Sequence, residues 1–223
     1  MSRFDTALLD IDGTLLDSTY HHTLAWARAF AECGEVVPAW LIHRHIGMGG
    51  DRLVPAVTDE RTEARIGDEV RERWERAYDE VIDQTRLLPG AQDLLGALRR
   101  AGLKVVLASS SIPRHAQHAL RLLDAERHAD AWTTGEDAEE AKPDPELLDR
   151  ALEQVSGRRA VMIGDATWDV LAANRRGIPT IGLRCGGFGA AELREAGAVV
   201  VYDDPAALAA DLDGALAAAV APS

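Results

Sequence analysis

The sequence predicts an α/β fold: a Rossmann-like parallel-sheet core with a second, smaller helical cap domain inserted after strand one. Three observations lead there. From about residue 91 onward, short Val-, Ile- and Leu-rich runs alternate with helical periodicity, the pattern of a parallel sheet covered on both faces. One further apolar run, Ala7–Asp10, stands apart near the N-terminus. A long helical block separates it from the others, and the break Leu88-Pro89-Gly90-Ala91 closes that block.

Taken in order, Ala7–Asp10 is a short apolar run ending in an acid and reads as a buried strand. Ile11–Ser18 mixes Asp, Gly, Thr and Ser, a loop composition. From Tyr20 to about Leu88 the pattern is helical, with apolar residues such as Leu24, Ala27 and Ala31 three or four apart. Asp59–Glu80 is dense in charges of both signs and reads as a solvated helix face. Past the break, Gln92–Arg100 is a helix closed by Gly102, Lys104–Ala108 a strand, and Pro113–Leu123 a helix. Ala131–Thr134 is a weak short strand. Pro143–Gln154 is expected to be a helix with proline in its first turn, where the missing N–H costs nothing. Ala160–Gly164 is a strong strand, followed by a helix over Thr167–Arg176 that ends at Gly177. Thr180–Leu183 and Val199–Tyr202 are further strands, and a last helix opens with Pro205 after Asp204. The chain thus divides into a core, residues 1–16 and 89–223, and a cap, residues 17–88.

Composition narrows the function. Of 223 residues, 47% are hydrophobic and 27% charged, ordinary for a globular protein. The formal net charge of −13 argues against nucleic acid or an anionic membrane as partner, since both demand a basic face. No apolar run reaches the ~18 residues that span a bilayer, and no basic stretch leads into an apolar core at the N-terminus. A cytoplasmic location is expected. The two cysteines, Cys33 and Cys185, form neither a disulfide framework nor a zinc set and read as reduced thiols. A monomer or weak dimer is the expected state.

Ligands of open parallel sheets bind at the carboxyl ends of the strands. There the sequence places Asp10 and Asp12-Gly13-Thr14 after the first strand, Ser109-Ser110-Ser111 after the Lys104 strand, and Asp165 after the Ala160 strand, with Asp169 one helical turn on. Lys142, one of only two lysines, precedes the Pro143 segment. Asp10, Asp12 and Asp165 would repel one another, a conflict that Mg²⁺ resolves with carboxylate and phosphate oxygens. Lys142 at a helix N-terminus would oppose the macrodipole, and a bound anion there would reverse the sign. The set calls for metal and phosphate together.

Asp10-Ile11-Asp12-Gly13-Thr14-Leu15 resembles the signature loop of the haloacid dehalogenase superfamily. Ser109 after its strand, Lys142-Pro143, and Gly164-Asp165 with Asp169 resemble its second, third and fourth motifs, in the expected order and over nearly the whole chain. The inserted helical block is similar to the subfamily of phosphoglycolate phosphatase, sugar phosphatases and β-phosphoglucomutase. The resemblance implies a Mg²⁺-dependent enzyme acting on a small phosphorylated metabolite. Asp10 would be the nucleophile that forms an aspartyl phosphate. Asp12 would be general acid, then base, with its backbone carbonyl on the metal. Ser109 and Ser110 would hold phosphoryl oxygens. Lys142 would balance charge on Asp10 and the phosphoryl group. Asp165 would bind Mg²⁺ and Asp169 support it from behind.

Within the superfamily, Asp12 favours phosphate chemistry over dehalogenation, and the absence of lysine from Tyr20–Leu88 argues against phosphonate cleavage. His22 falls where β-phosphoglucomutase carries a cap-hinge histidine, so a mutase stays open beside the hydrolase, although the mutase's cap lysine is absent. A phospho-receiver or binding protein is a third reading, disfavoured because receivers place paired acids first and carry no inserted lobe. His22 and Arg52 are candidate substrate contacts, as is Arg44 near the Gly47-Met48-Gly49-Gly50 turn. His21, His43 and His45 read as solvated cap histidines, and Gly186-Gly187-Phe188-Gly189 as a plain loop. The cap is expected to move about linkers near Leu15–Ser18 and Leu87–Ala91.

Overall fold

The computed structural model describes residues 4–220. Its first strand, β1 (Thr6–Leu9), leads through a loop into β2 (Leu16–Asp17) and a helical layer of α1 (Thr19–Glu32), α2 (Ala39–His43), α3 (Gly50–Val57) and α4 (Glu60–Asp79). The chain returns through β3 (Arg86–Leu87), which pairs antiparallel with β2, Leu16 facing Leu87. The rest alternates: α5 (Ala91–Arg100), β4 (Lys104–Ala108), α6 (Pro113–Leu122), α7 (Ala125–His128), β5 (Ala131–Thr133), α8 (Glu146–Val155), β6 (Ala160–Gly164), α9 (Thr167–Asn174), β7 (Thr180–Leu183), α10 (Ala190–Ala196), β8 (Val200–Tyr202), α11 (Pro205–Ala210) and α12 (Leu212–Val220).

Six parallel strands form one sheet in the order β5-β4-β1-β6-β7-β8. This is the α/β, Rossmann-like core read from the alternation. β1 lies in the middle because all four of its residues are apolar or backed by burial on both faces. Ala7 and Leu9 pack with Val105, Leu107, Val161 and Ile163 on the side of α5 and α12. Leu8, Val106 and Met162 face the other way, against Leu148 and Ala151 of α8 and Ala172 and Ala173 of α9. That alternation is the period-two geometry of a strand applied to a sheet without a wet face. Register then fixes the rim. Leu9 stands level with Leu107 and Ile163, so the residues just beyond them emerge side by side.

The helical layer has its own apolar cluster, in which Trp26, Ala29 and Phe30 of α1 meet Val70, Trp74 and Tyr78 of α4. The buried stripe of α4, Gly67, Val70, Trp74, Ala77 and Tyr78, follows the three-four spacing of an amphipathic helix, while its charges face outward. Asp59 caps that helix by accepting from the Thr62 N–H at 2.7 Å.

Four readings need correction. The buried face of α1 is His22, Thr23, Ala25, Trp26, Ala29 and Phe30, whereas Leu24 is 66% exposed; the phase read from Leu24, Ala27 and Ala31 was wrong because Trp26 and Phe30 dominate the packing. The helix expected over Pro143–Gln154 begins at Glu146. Lys142 is therefore not at a helix N-terminus, and its position has to be explained by its ion pairs. The single last helix is two, divided at Asp211. Finally, α10 fills the connection after the Gly186–Gly189 loop, where no helix was expected.

Candidate active site

The end of β1 delivers Asp10, whose N–H bonds to the Ile163 carbonyl at 3.0 Å. β6 next door ends at Gly164 and delivers Asp165, and the first turn of α9 delivers Asp169. Carboxylate oxygens of these three buried acids lie within 4.8 Å of one another. Lys142, wholly buried, reaches in from the segment before α8: its Nζ is 2.5 Å from Asp10 and 2.8 Å from Asp169. It also donates to the Ala108 carbonyl at 3.3 Å. Burial alone would lower its pKa, but Asp10 and Asp169 outweigh that and raise it above the ordinary lysine value. A compact ammonium on a thin stem suits this enclosed spot better than a planar guanidinium.

The acids respond in opposite directions. Burial lifts Asp10 to about 7 against the pull of Lys142, with Asp169 and Asp12 adding to the rise. Burial, then Asp10 and Asp169, push Asp165 well above the usual range, although Thr14 donates to its Oδ1 at 2.7 Å. Asp12 moves the other way. Burial would raise it, but His22 at 3.3 Å, Ser18 at 2.6 Å and Ser111 at 2.8 Å hold its carboxylate well below the usual range. His22 is fixed for this contact by stacking on Tyr78, ring centroids 3.8 Å apart.

Two glycines admit this crowding. Gly13 has φ +87°, and a Cβ there would sit 2.4 Å from Thr19 Oγ1 and 2.5 Å from Asp165 Oδ2. A Cβ at Gly186 would lie 1.6 Å from Asp165 Oδ2. The Gly186–Gly189 loop, read as plain, thus presses its backbone on the acid cluster. His43, read as a solvated cap histidine, is buried: its Nε2 meets the Gly186 carbonyl at 2.9 Å and its ring stacks on Tyr20. Further contacts hold the helical layer over the rim. Trp168 Nε1 donates to the Arg44 carbonyl at 3.1 Å, and Ser110 Oγ to the Gly47 carbonyl at 3.4 Å.

Asp10, Asp12, Ser110 and His22 line one small chamber, and Asp165, Asp169 and Lys142 cluster on Asp10 beside it. Ser109 is wholly buried beside it, and its Oγ accepts from the Ser111 N–H at 3.1 Å. Arg52 does not line the chamber; its guanidinium pairs with Glu140. Sequence reasoning named Thr14 and Ser111 within the strand-end motifs but gave them no role, and it missed Ser18 and Trp74. Thr14, Ser18 and Ser111 are hydroxyls in polar loops, so a search for hydroxyls flanking each acid would have assigned them. Trp74 carried no signal beyond its place on an apolar stripe.

Hard oxygen donors around a single ammonium fit a divalent cation. With Asp10, Asp165 and Asp169 ionised, the cluster has more negative charge than Lys142 can balance, and that repulsion adds to the burial that raises Asp10 and Asp165.

Known proteins resemble this chain in sequence and in fold. The family model for haloacid dehalogenase-like hydrolases matches residues 4–177. A phosphoglycolate phosphatase of Agrobacterium fabrum is 31% identical, with 91% of this chain and 89% of that protein aligned. A phosphorylated carbohydrates phosphatase of Thermotoga maritima is 28% identical over 79% of this chain and 83% of its own length. The crystal structure of a hydrolase from Pseudomonas syringae superposes with TM-score 0.89 at 34% identity, covering 94% of this chain and 98% of that one. A parallel sheet whose strand tips assemble acids around one lysine, matched over most of its length by this family, makes the chain a haloacid dehalogenase-like hydrolase, an enzyme of the phosphatase kind.

Proposed function

We propose that this protein is a Mg²⁺-dependent phosphatase that hydrolyses a small phosphomonoester, of phosphoglycolate or sugar phosphate type, through an aspartyl phosphate on Asp10. The observation that carries this reading is the buried Lys142 ammonium 2.5 Å from Asp10 and 2.8 Å from Asp169, with Asp12 facing the same chamber.

Asp10 attacks phosphorus in line, a carboxylate O–P bond forming as the ester oxygen leaves. Lys142 orients Asp10 and offsets negative charge that gathers as the phosphoryl group transfers. Asp12 passes a proton to the leaving oxygen, then takes one from the water that attacks the acyl phosphate and frees Asp10. Its three donors favour the ionised form, which is the base; the acid form requires a proton that arrives with the substrate. Ser110, and Ser109 from behind, position the phosphoryl oxygens. Asp10, Asp165 and the Asp12 carbonyl would hold Mg²⁺, with Asp169 supporting through Lys142 and the Ala166 N–H. When bound, the cation would neutralise phosphoryl charge that Lys142 cannot cover alone. The cap, residues 17–88, would exclude bulk water from the acyl phosphate.

A phosphosugar mutase is the second reading, favoured by His22 against Asp12. The test is direct. Hydrolysis of p-nitrophenyl phosphate is expected with Mg²⁺ and not with EDTA. Absence of turnover across a panel of phosphomonoesters would remove the hydrolase reading, and interconversion of β-glucose 1-phosphate and glucose 6-phosphate would establish the mutase. A cytoplasmic location fits such a substrate, and no helix of the described residues is long and apolar enough to cross a membrane.

A further inference from the structure

The chamber above Asp10 and Asp12 has an organic side whose chemistry is legible. It is about 50 Å³ in volume, room for a few water-sized groups. From the helical layer it is walled by Trp26, Trp74, Ile46, Met48 and Leu53. Among the described residues, no arginine or lysine lines it. Arginines near its walls are held in ion pairs. Arg44 pairs with Glu192 at 2.7 Å and lies 4.1 Å over the Phe188 ring. Arg52 pairs with Glu140, and Arg73 with Glu69 and Glu32. Arg71 pairs with Glu63 and Asp68, each at 2.8 Å, and donates to the carbonyl of the wall residue Gly50 at 3.3 Å. One polar group among these wall residues lacks a partner. The Trp74 indole N–H is buried without a hydrogen-bond partner, in a residue only 8% exposed. Its ring lies flat on Trp26, centroids 4.7 Å and planes 10° apart.

A carboxylate placed against these walls would lose its hydration and gain no opposite charge. An uncharged carbon chain or ring loses little there, and the paired indoles offer it a flat apolar surface. A buried N–H without a partner costs free energy that an acceptor on the ligand would recover. We propose that the leaving group is a small uncharged alcohol: its carbon atoms lie against Trp26 and Trp74, and one of its oxygens accepts a hydrogen bond from Trp74 Nε1. Trp74 is then a specificity-determining residue, and the site discriminates against carboxylate-bearing esters such as 2-phosphoglycolate. This rests on the phosphatase reading and narrows its substrate.

The test compares two nearly isosteric esters on the Mg²⁺-loaded enzyme, 2-hydroxyethyl phosphate and 2-phosphoglycolate, with p-nitrophenyl phosphate as a general reporter. The neutral ester is expected to exceed 2-phosphoglycolate in kcat/KM by about tenfold or more. Equal or greater kcat/KM for 2-phosphoglycolate, while p-nitrophenyl phosphate is turned over, overturns the proposal and leaves the phosphatase intact. No turnover of any of the three removes the phosphatase reading itself. The variant Trp74→Phe keeps an aromatic ring, smaller than the indole, and deletes the donor. It is expected to shrink the preference for 2-hydroxyethyl phosphate over ethyl phosphate by about fivefold, chiefly through KM. An unchanged preference would overturn the role given to the indole N–H, because loss of packing alone weakens both esters alike.

Discussion

Lys142 is enclosed by the groups it neutralises, and that makes it the residue on which both stability and chemistry turn. Its ammonium is wholly buried between Asp10 and Asp169. Lys142→Met would leave those carboxylates buried without a partner, an expected loss of about 3–5 kcal/mol in denaturant-induced unfolding. A variant as stable as the parent would show that the acids protonate freely and that the pair does not hold the site. Asp10→Asn predicts the converse separation. It removes one negative charge from a crowded cluster, so the melting temperature should hold or rise. Turnover should fall by about a thousandfold or more, because an amide cannot replace the carboxylate as nucleophile. Ordinary activity in this variant would refute the assignment of Asp10. Asp12 shows how local the control is: two residues from Asp10, it is driven in the opposite direction because Ser18, Ser111 and His22 face it.

The contact of α4 with α6 ties the helical layer to the sheet through titrating groups. Asp79 receives Arg114 at 3.0 Å and His115 at 2.8 Å, Arg114 also reaches Glu75, and the His115 ring stands edge-on to Tyr78 and Trp74. Burial lowers the His115 pKa below 6.5, only partly offset by Asp79. The fold therefore favours neutral His115, and its contribution is present above pH 6.5. It is lost as pH falls, because the unfolded chain takes up the proton first. Asp79 is lowered as well: burial would raise it, but Arg114 and His115 prevail. Its contribution persists to lower pH and disappears only as pH falls through its depressed value. The raised Asp10 and Asp165 act in the opposite sense over the same interval, so the contact is read as a difference: from pH 7 to pH 5 the melting temperature of His115→Gln should rise relative to the parent's, and an unaltered difference would discount the contact. The loop between β7 and α10 offers a steric test. Gly186→Ala would drive a methyl into Asp165, so Mg²⁺-dependent activity should drop by about a hundredfold or more, as for loss of groups that orient metal ligands. Wild-type activity would mean that the loop gives way freely.

At the scale of the whole molecule, metal and cap should act together. A cation that binds only the assembled acid cluster stabilises the folded state by mass action, about 2.7 kcal/mol at a hundredfold excess over Kd. Millimolar Mg²⁺ should raise the melting temperature of the parent and not of Asp165→Asn, and an equal shift in both would place the ion elsewhere. The two chain crossings, β2 and β3, lie side by side, so the helical layer can swing on one narrow ribbon. Solution scattering should show a larger radius of gyration for the free enzyme than with Mg²⁺ and orthovanadate.

The strands themselves, the parallel sheet and the acids at the strand tips were readable because each depends on short-range pattern: apolar runs, their alternation with helices, and an acid or serine where a run stops; the order of the strands was not, since β1 pairs with strands about a hundred residues and more away. Lys142 was found by its rarity, yet its reason was misread, since the helix starts at Glu146 rather than Pro143 and the ammonium is placed by Asp10 and Asp169, far along the chain. The phase of α1, the burial of His43 and the pressure of Gly186 on Asp165 depend on partners far along the chain, His43 and Gly186 being 143 residues apart. No local pattern encodes those distances. The linear order of residues thus determined which chemical groups arrive at the sheet edge. The tertiary structure decided which of them face one another, and with that which carboxyls are raised and which lowered, because burial and ionisation are properties of neighbours in space.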